Sequence, residues 1–281
     1  MKGNGVDCPI CGSLGSRPAS KTDNSLRICA SCGVVFNTAH RPLAYDKSYF
    51  VDDYQAQYGK TYAEDAPAIR AFAARRLETI FRTLKSEQPR SSIRLLDIGS
   101  ALGFFLKEAR DWGIGHVEGV EISPFAAAYC RENFDIPVHE IPFEKAALKG
   151  PFDIITAWYF LEHCADPARM MQKINSLLSP DGTIALATPS VFGPQFLFDR
   201  EGWSNSHPAD HRVDFSPSTM RVFLRSQGFT RVRILPSSVH PERIISAHSV
   251  LFKPFSGIYS LISSLTAFSD TLEAYALKLA N

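Results

Sequence analysis

Between about residue 66 and residue 240 the apolar positions alternate between short continuous runs and longer stretches of helical period. Continuous runs closed by turn residues read as strands covered on both faces, and stretches with apolar residues every third or fourth position read as the helices that cover them. The runs are Ile93 to Ile98, His116 to Ile122, a short one near Val138, Phe152 to Trp158, Thr183 to Ala187 and Phe229 to Leu235. Helical period predicts helices from Pro67 to Lys85, from Gly103 through Ala109, and then over Pro124 to Asn133, Ala168 to Leu178 and Pro217 to Gln227. This order predicts an α/β chain with a doubly wound, mostly parallel sheet, whose site lies at the carboxyl ends of the strands. From Phe255 the apolar positions 255, 258, 262, 265, 268, 272, 275 and 279 predict a C-terminal helix, its polar face mostly Ser and Thr.

Composition adds limits. With 45% hydrophobic and 21% charged residues and a formal net charge of +1, the 281-residue chain offers no global attraction for nucleic acid or anionic lipid. The arginines of the first helix (Arg70, Arg75, Arg76, Arg82) read as a solvated face. No apolar leader follows Met1 and Lys2, so a cytoplasmic location is expected, where cysteines serve as metal ligands or free thiols. Four of the six cysteines form two C-x-x-C-G knuckles, Cys8/Cys11 and Cys29/Cys32, separated by 17 residues. That is zinc-ribbon spacing, and four thiolates leave no open position for chemistry. A segment this short draws its folding energy from the metal.

The candidate chemistry centres on Leu95 to Phe105, LLDIGSALGFF: a strand, a turn with Gly99 and Gly103, and a helix start. It lacks the third glycine of a dinucleotide fingerprint and the lysine of a P-loop, so its ligand carries no phosphate. Asp97 suits an ammonium group and the helix N-terminus suits a carboxylate. An amino acid has both, and joined to a nucleoside it is S-adenosylmethionine. These residues resemble the first motif, D-x-G-x-x-x-G, of the class I S-adenosylmethionine-dependent methyltransferases. Glu121, ending the second strand, then reads as the acceptor of both ribose hydroxyls, with Ile122 packing on the adenine.

Phe152 to Pro167, FDIITAWYFLEHCADP, resembles the fourth motif of the same family. The resemblance implies a Rossmann-like methyltransferase fold, with Trp158 and Tyr159 lining the methyl-transfer cavity. His163 is the leading general base, with capping and bracing of the next helix by Glu162 and His163 as the alternative. Some quinone-pathway relatives are thought to hold Mg²⁺ through a second Glu three residues before the Glu-His pair, where this chain has Tyr159. Residues 188 to 217 read as an irregular insertion resembling the acceptor-side loop of these enzymes. His207 and His211 are second-rank candidates for acceptor contact or base; a zinc reading of the pair fails for want of a third ligand.

The expected organisation is a zinc ribbon over residues 1–44, a tyrosine-rich joint or lid over 45–65, a methyltransferase domain over 66–240 and a C-terminal helical extension over 241–281. Expected partners are a small-molecule acceptor, namely a sugar, glycan intermediate or other secondary metabolite. The tail is expected to pack on the core or on a second copy in a homodimer rather than on a membrane. Two other readings compete: a zinc-ribbon RNA methyltransferase, and a non-enzymatic binding protein on the same scaffold.

Overall fold

The computed structural model describes residues 6–43, 45–84, 88–237, 241, 244–246 and 248–279. Three short strands come first: β1 (Ser16–Pro18), β2 (Leu26–Cys29) and β3 (Val35–Asn37). The joint forms a turn of π-helix over Tyr49–Asp53 and α1 (Tyr54–Tyr58), which Gly59 stops with φ 75°. There follow α2 (Ala66–Thr83), β4 (Arg94–Ile98), α3 (Phe104–Asp111), β5 (His116–Val120), α4 (Pro124–Phe134), β6 (Val138–His139), β7 (Phe152–Trp158) and α5 (Pro167–Leu177). The chain ends with β8 (Leu178–Phe192), α6 (Pro194–Phe198), α7 (Arg200–Asn205), β9 (Val213–Asp214), α8 (Pro217–Ser226), β10 (Phe229–Pro236), α9 (Phe252–Thr266) and β11 (Ser269–Lys278).

The large sheet has the order β10-β11-β8-β7-β4-β5-β6, parallel from β8 to β6 and antiparallel on both sides of β11. Neighbouring residues on its strands feed opposite cores. Leu95, Ile154, Ala185 and Tyr275 pack with Leu77 of α2, Leu106 of α3 and Ala127 of α4. Leu96, Ile155, Ile184 and Ala274 pack with Met171 of α5 and Phe223 of α8. Helices thus cover both faces, the doubly wound arrangement the alternation predicts.

Three expectations need correction. The tail is not one helical extension: α9 stops where Ala267 turns left-handed (φ 58°), and Ser269–Lys278 is a strand pairing with Thr183 to Phe192 on one side and Phe229 to Pro236 on the other. Ser269–Lys278 therefore completes the central sheet rather than decorating it. The insertion after the fifth strand is not irregular either, since β8 runs on to Phe192 and α6, α7 and β9 follow. The ribbon, finally, has no boundary in packing. β9 extends its sheet in the order β1-β2-β3-β9, and Cys8, Val34 and Phe36 share a core with Val213, Phe215 and Phe223. The first long helix ends at Thr83, and Lys85 lies outside the described residues. Among the described residues no helix is long and apolar enough to cross a membrane.

Candidate functional site

The turn after β4 is shaped by residues without side chains to spare. Gly99, Ala101 and Gly103 all have positive φ, and a Cβ on Gly103 would lie 2.2 Å from the Cys130 sulfur. Glycine there lets the start of α3 lie against α4. Beneath the turn, Gly119 of β5 serves the same end, because a Cβ would meet the Ser100 hydroxyl at 2.6 Å. The first turn of α3 therefore opens directly over the end of β4, with its N–H groups free for an anion.

Two buried carboxylates flank this turn. Asp97 is 2% exposed and accepts a hydrogen bond from the Thr156 hydroxyl at 2.6 Å. Burial pushes its pKa up to about 7, against the pull of Thr156 and the Arg76 guanidinium. Glu121 is 6% exposed, and its two oxygens accept from the backbone N–H groups of Ala101 and Ser123, each at 2.8 Å. Burial raises its pKa too, while those backbone donors oppose the rise. Each oxygen keeps a lone pair for a further donor. Ile122 stands half exposed beside it, an apolar surface at the rim.

Trp158 is where the fourth strand ends, packed between Phe105 and the Arg76 guanidinium, which lies 4.1 Å from its ring centre. Its indole N–H is buried without a hydrogen-bond partner. Arg76 does not belong to a solvated face: Glu273 of β11 accepts from it at 2.7 Å, and also from Tyr275 and Ser237. The joint closes over α3, with Tyr62 stacked on Phe104 at 5.9 Å and 10° between planes.

The three histidines meet in one cluster. His163 Nδ1 lies 2.9 Å from Asp210 Oδ2, and the Tyr45 hydroxyl donates to the same oxygen at 2.9 Å. The His211 ring stands edge-on to His163 with centres 5.0 Å apart. His207 Nε2 lies 2.8 Å from Asp214 Oδ2, and His211 Nδ1 is 3.7 Å from the other oxygen. Burial disfavours a charged His163, but the Asp210 hydrogen bond and the Glu162 carboxylate outweigh it and raise its pKa. The paired imidazoles hold Asp210 at about 2 despite its burial. Glu162 is buried with Oε2 unpartnered, and burial raises its pKa. Asp166, not Glu162 or His163, caps α5.

Donor atoms lie within 4.8 Å of one another in three groups: Cys8, Cys11, Cys29 and Cys32; Glu162, His163 and His211; and His207, His211 and Asp214. The third ligand judged missing from the His207/His211 pair is thus present in space as Asp214. The four thiols fit zinc best. Their Cys8–Cys32 and Cys11–Cys29 sulfur separations of 3.6 Å approach the edge of about 3.8 Å that Zn–S bonds of about 2.3 Å give a tetrahedron. Asp210 and Asp214 are not singled out by the sequence, and Arg76 and Tyr45 stand there only as part of a solvated face and of the tyrosine-rich joint. Only the tyrosine-rich joint and the acid next to His211 hinted at them.

A family model described as "Methyltransferase domain" matches residues 63–234. A ubiquinone biosynthesis O-methyltransferase from Bordetella avium is 27% identical over 245 residues, covering 80% of this chain and 92% of the relative. Among solved structures, a SAM-dependent methyltransferase from Archaeoglobus fulgidus superposes with a TM-score of 0.56 at 18% identity, over 80% of this chain and 98% of that one. The plantazolicin methyltransferase in complex with SAH gives 0.52 at 16%, over 83% and 93%.

Proposed function

From the premise that this chain belongs to the methyltransferase-domain family and is an S-adenosylmethionine-dependent methyltransferase, we propose that it methylates a hydroxyl of a small-molecule acceptor, with His163 as general base. The observation that carries this reading is the His163–Asp210 pair, with His163 in the turn that follows the carboxyl end of β7. A half-buried imidazole whose Nδ1 faces a carboxylate presents Nε2 to accept a proton. The relative's name, an O-methyltransferase of ubiquinone biosynthesis, supports an oxygen acceptor.

In this reading Asp97 faces the donor's ammonium, the first turn of α3 takes its carboxylate, Glu121 accepts from the ribose hydroxyls and Ile122 covers the adenine. Bound there, S-adenosylmethionine supplies an electrophilic methyl for in-line displacement. Trp158 and Tyr62 exclude water around it, and His163 removes the acceptor proton as the oxygen attacks. Phosphate binding by α2 has little support. Arg76 pairs with Glu273, Arg70 with Glu108 and Asp111, and Arg82 with Glu78, while Arg75 lies over the Phe72 ring.

Incubation of a small-molecule extract with methyl-labelled S-adenosylmethionine is expected to yield labelled, base-stable methyl ethers by mass spectrometry. Label confined to RNA or protein in a whole-cell extract would overturn the reading. For the ribbon we expect about one zinc per purified chain, released by mercurial titration of four thiols. Full thiol titration with no metal released and an unchanged melting curve would remove zinc from the fold.

A further inference from the structure

The ribbon reaches the base by a short, continuous path. Asn37, the last residue of β3, donates its backbone N–H to Arg212 O at 3.0 Å, and Arg41 N–H donates to Ala209 O at 2.8 Å. Val35 and Phe36 pair with Asp214 and Val213, and the Arg212 guanidinium returns to Asn37 O. Residues 209–214 are thus tied to the ribbon along their length, and Arg212 N–H also donates to Glu162 O at 2.6 Å, beside His163. This strip carries Asp210, which is 4% exposed. Its carboxylate collects the Tyr45 hydroxyl from the joint and His163 Nδ1 from the β7 exit, so three separate segments converge on one oxygen. The Tyr45 ring stands edge-on to His163 at 5.9 Å, as the His211 ring does at 5.0 Å.

We propose that Asp210 is a positioning residue for methyl transfer, fixing the tautomer and orientation of His163, and that the zinc ribbon holds Asp210 in register through the β3–β9 pair. The proposal rests on His163 being the base. An Asp on Nδ1 keeps the proton there and leaves Nε2 as the acceptor, so a ring turned over or protonated on Nε2 does not serve. The ribbon then has a purpose besides its own folding: without it the strip bearing Asp210 loses its edge partner. The charged and titratable groups around His163 are Asp210 and His211 from the strip, Glu162 from its own turn, Tyr45 from the joint and His40 from the ribbon exit. A loss of the Asp210 charge alone lowers the His163 pKa, since Asp210 contributes both the hydrogen bond and a nearby negative charge.

The test uses the full-length zinc-loaded enzyme with histidine-selective ¹⁵N labelling, and methyl incorporation from S-adenosylmethionine into a small-molecule extract. In Asp210→Asn the His163 titration is expected to fall by about one pH unit and its ring nitrogens to report mixed tautomers. Incorporation is expected to drop about 10- to 100-fold, with its acid limb moved to lower pH and with zinc content and S-adenosylmethionine affinity unchanged. Tyr45→Phe, which removes only a hydroxyl donor to the Asp210 carboxylate, is expected to leave that carboxylate a stronger partner and to raise the His163 titration slightly, and it stands in should Asp210→Asn not fold. An unchanged tautomer and acid limb in both variants would overturn the proposal. His163→Gln separates the two readings: full incorporation in that variant refutes His163 as base, whereas its loss beside an unaltered Asp210→Asn refutes the positioning role alone.

Discussion

Gly103→Ala is expected to weaken S-adenosylmethionine binding at least about 100-fold and to lower the melting temperature by about 4–20 °C. Two costs combine at this position. The backbone sits at φ 84°, where an L-residue loses about 1–2 kcal/mol. The new Cβ would also lie 2.2 Å from the Cys130 sulfur and 2.9 Å from its Cβ, and overpacking of this kind costs about 1–3 kcal/mol. Together these come to about 2–5 kcal/mol, and a chain of this size loses about 2–4 °C per kcal/mol. Relief comes only by lifting the first turn of α3 off α4, which misaims the N–H groups offered to the donor's carboxylate. Gly113→Ala is the control. It shares the positive φ, at 90°, but its Cβ meets only the Arg90 Cβ at 4.0 Å, so it should lose stability without losing affinity. Calorimetry that finds Gly103→Ala no worse than Gly113→Ala would remove the close approach from the account of this turn.

Gly103 also shows why much of the fold was legible. Its need follows from a local event, a strand turning into a helix that must pack closely, and local events leave residue types at fixed spacing. The buried parallel strands were readable for the same reason: Leu95 and Leu96 point into different cores, so the run is continuously apolar. That logic also misled. In the last ten residues of the sheet Leu272, Ala274, Tyr275, Ala276 and Leu277 are all buried, so the period of two vanishes and the remaining apolar spacing passes for a helix. Pairing with β8 and β10 decides the matter, and those partners lie far away in sequence. β8 carries Pro180-Asp181-Gly182 in the break between its Phe152–Leu178 and Ile154–Thr183 pairs, where Asp181 takes φ 59°. The residues proposed for the cofactor side come from one β-turn-α-β unit, so the sequence shows them together. The acceptor side was legible only as separate histidines, because Tyr45, His163 and Asp210 come from three segments joined through the ribbon strip.

The affinity for S-adenosylmethionine is expected to fall about tenfold between pH 8 and pH 6. Burial holds the Asp97 pKa at about 7 in the free protein, and an ammonium group is recognised by the carboxylate, not the acid. At pH 8 about nine-tenths of the molecules carry that charge and at pH 6 about one-tenth, so the apparent dissociation constant rises in proportion. Asp97→Asn is expected to bind weakly and with little pH dependence, since the titrating group is gone. Glu121→Ala is expected to bind about 100-fold or more weakly at any pH. Two ribose hydrogen bonds to a charged acceptor are lost, at about 1.5–3 kcal/mol each before compensation by water, and the Ala101 and Ser123 N–H groups that now donate to Glu121 lose their partner. Titration calorimetry at pH 6, 7 and 8 reads both effects at once. A flat wild-type profile would show that Asp97 titrates well below 7 or does not meet the ammonium, and wild-type affinity in Glu121→Ala would move the ribose elsewhere.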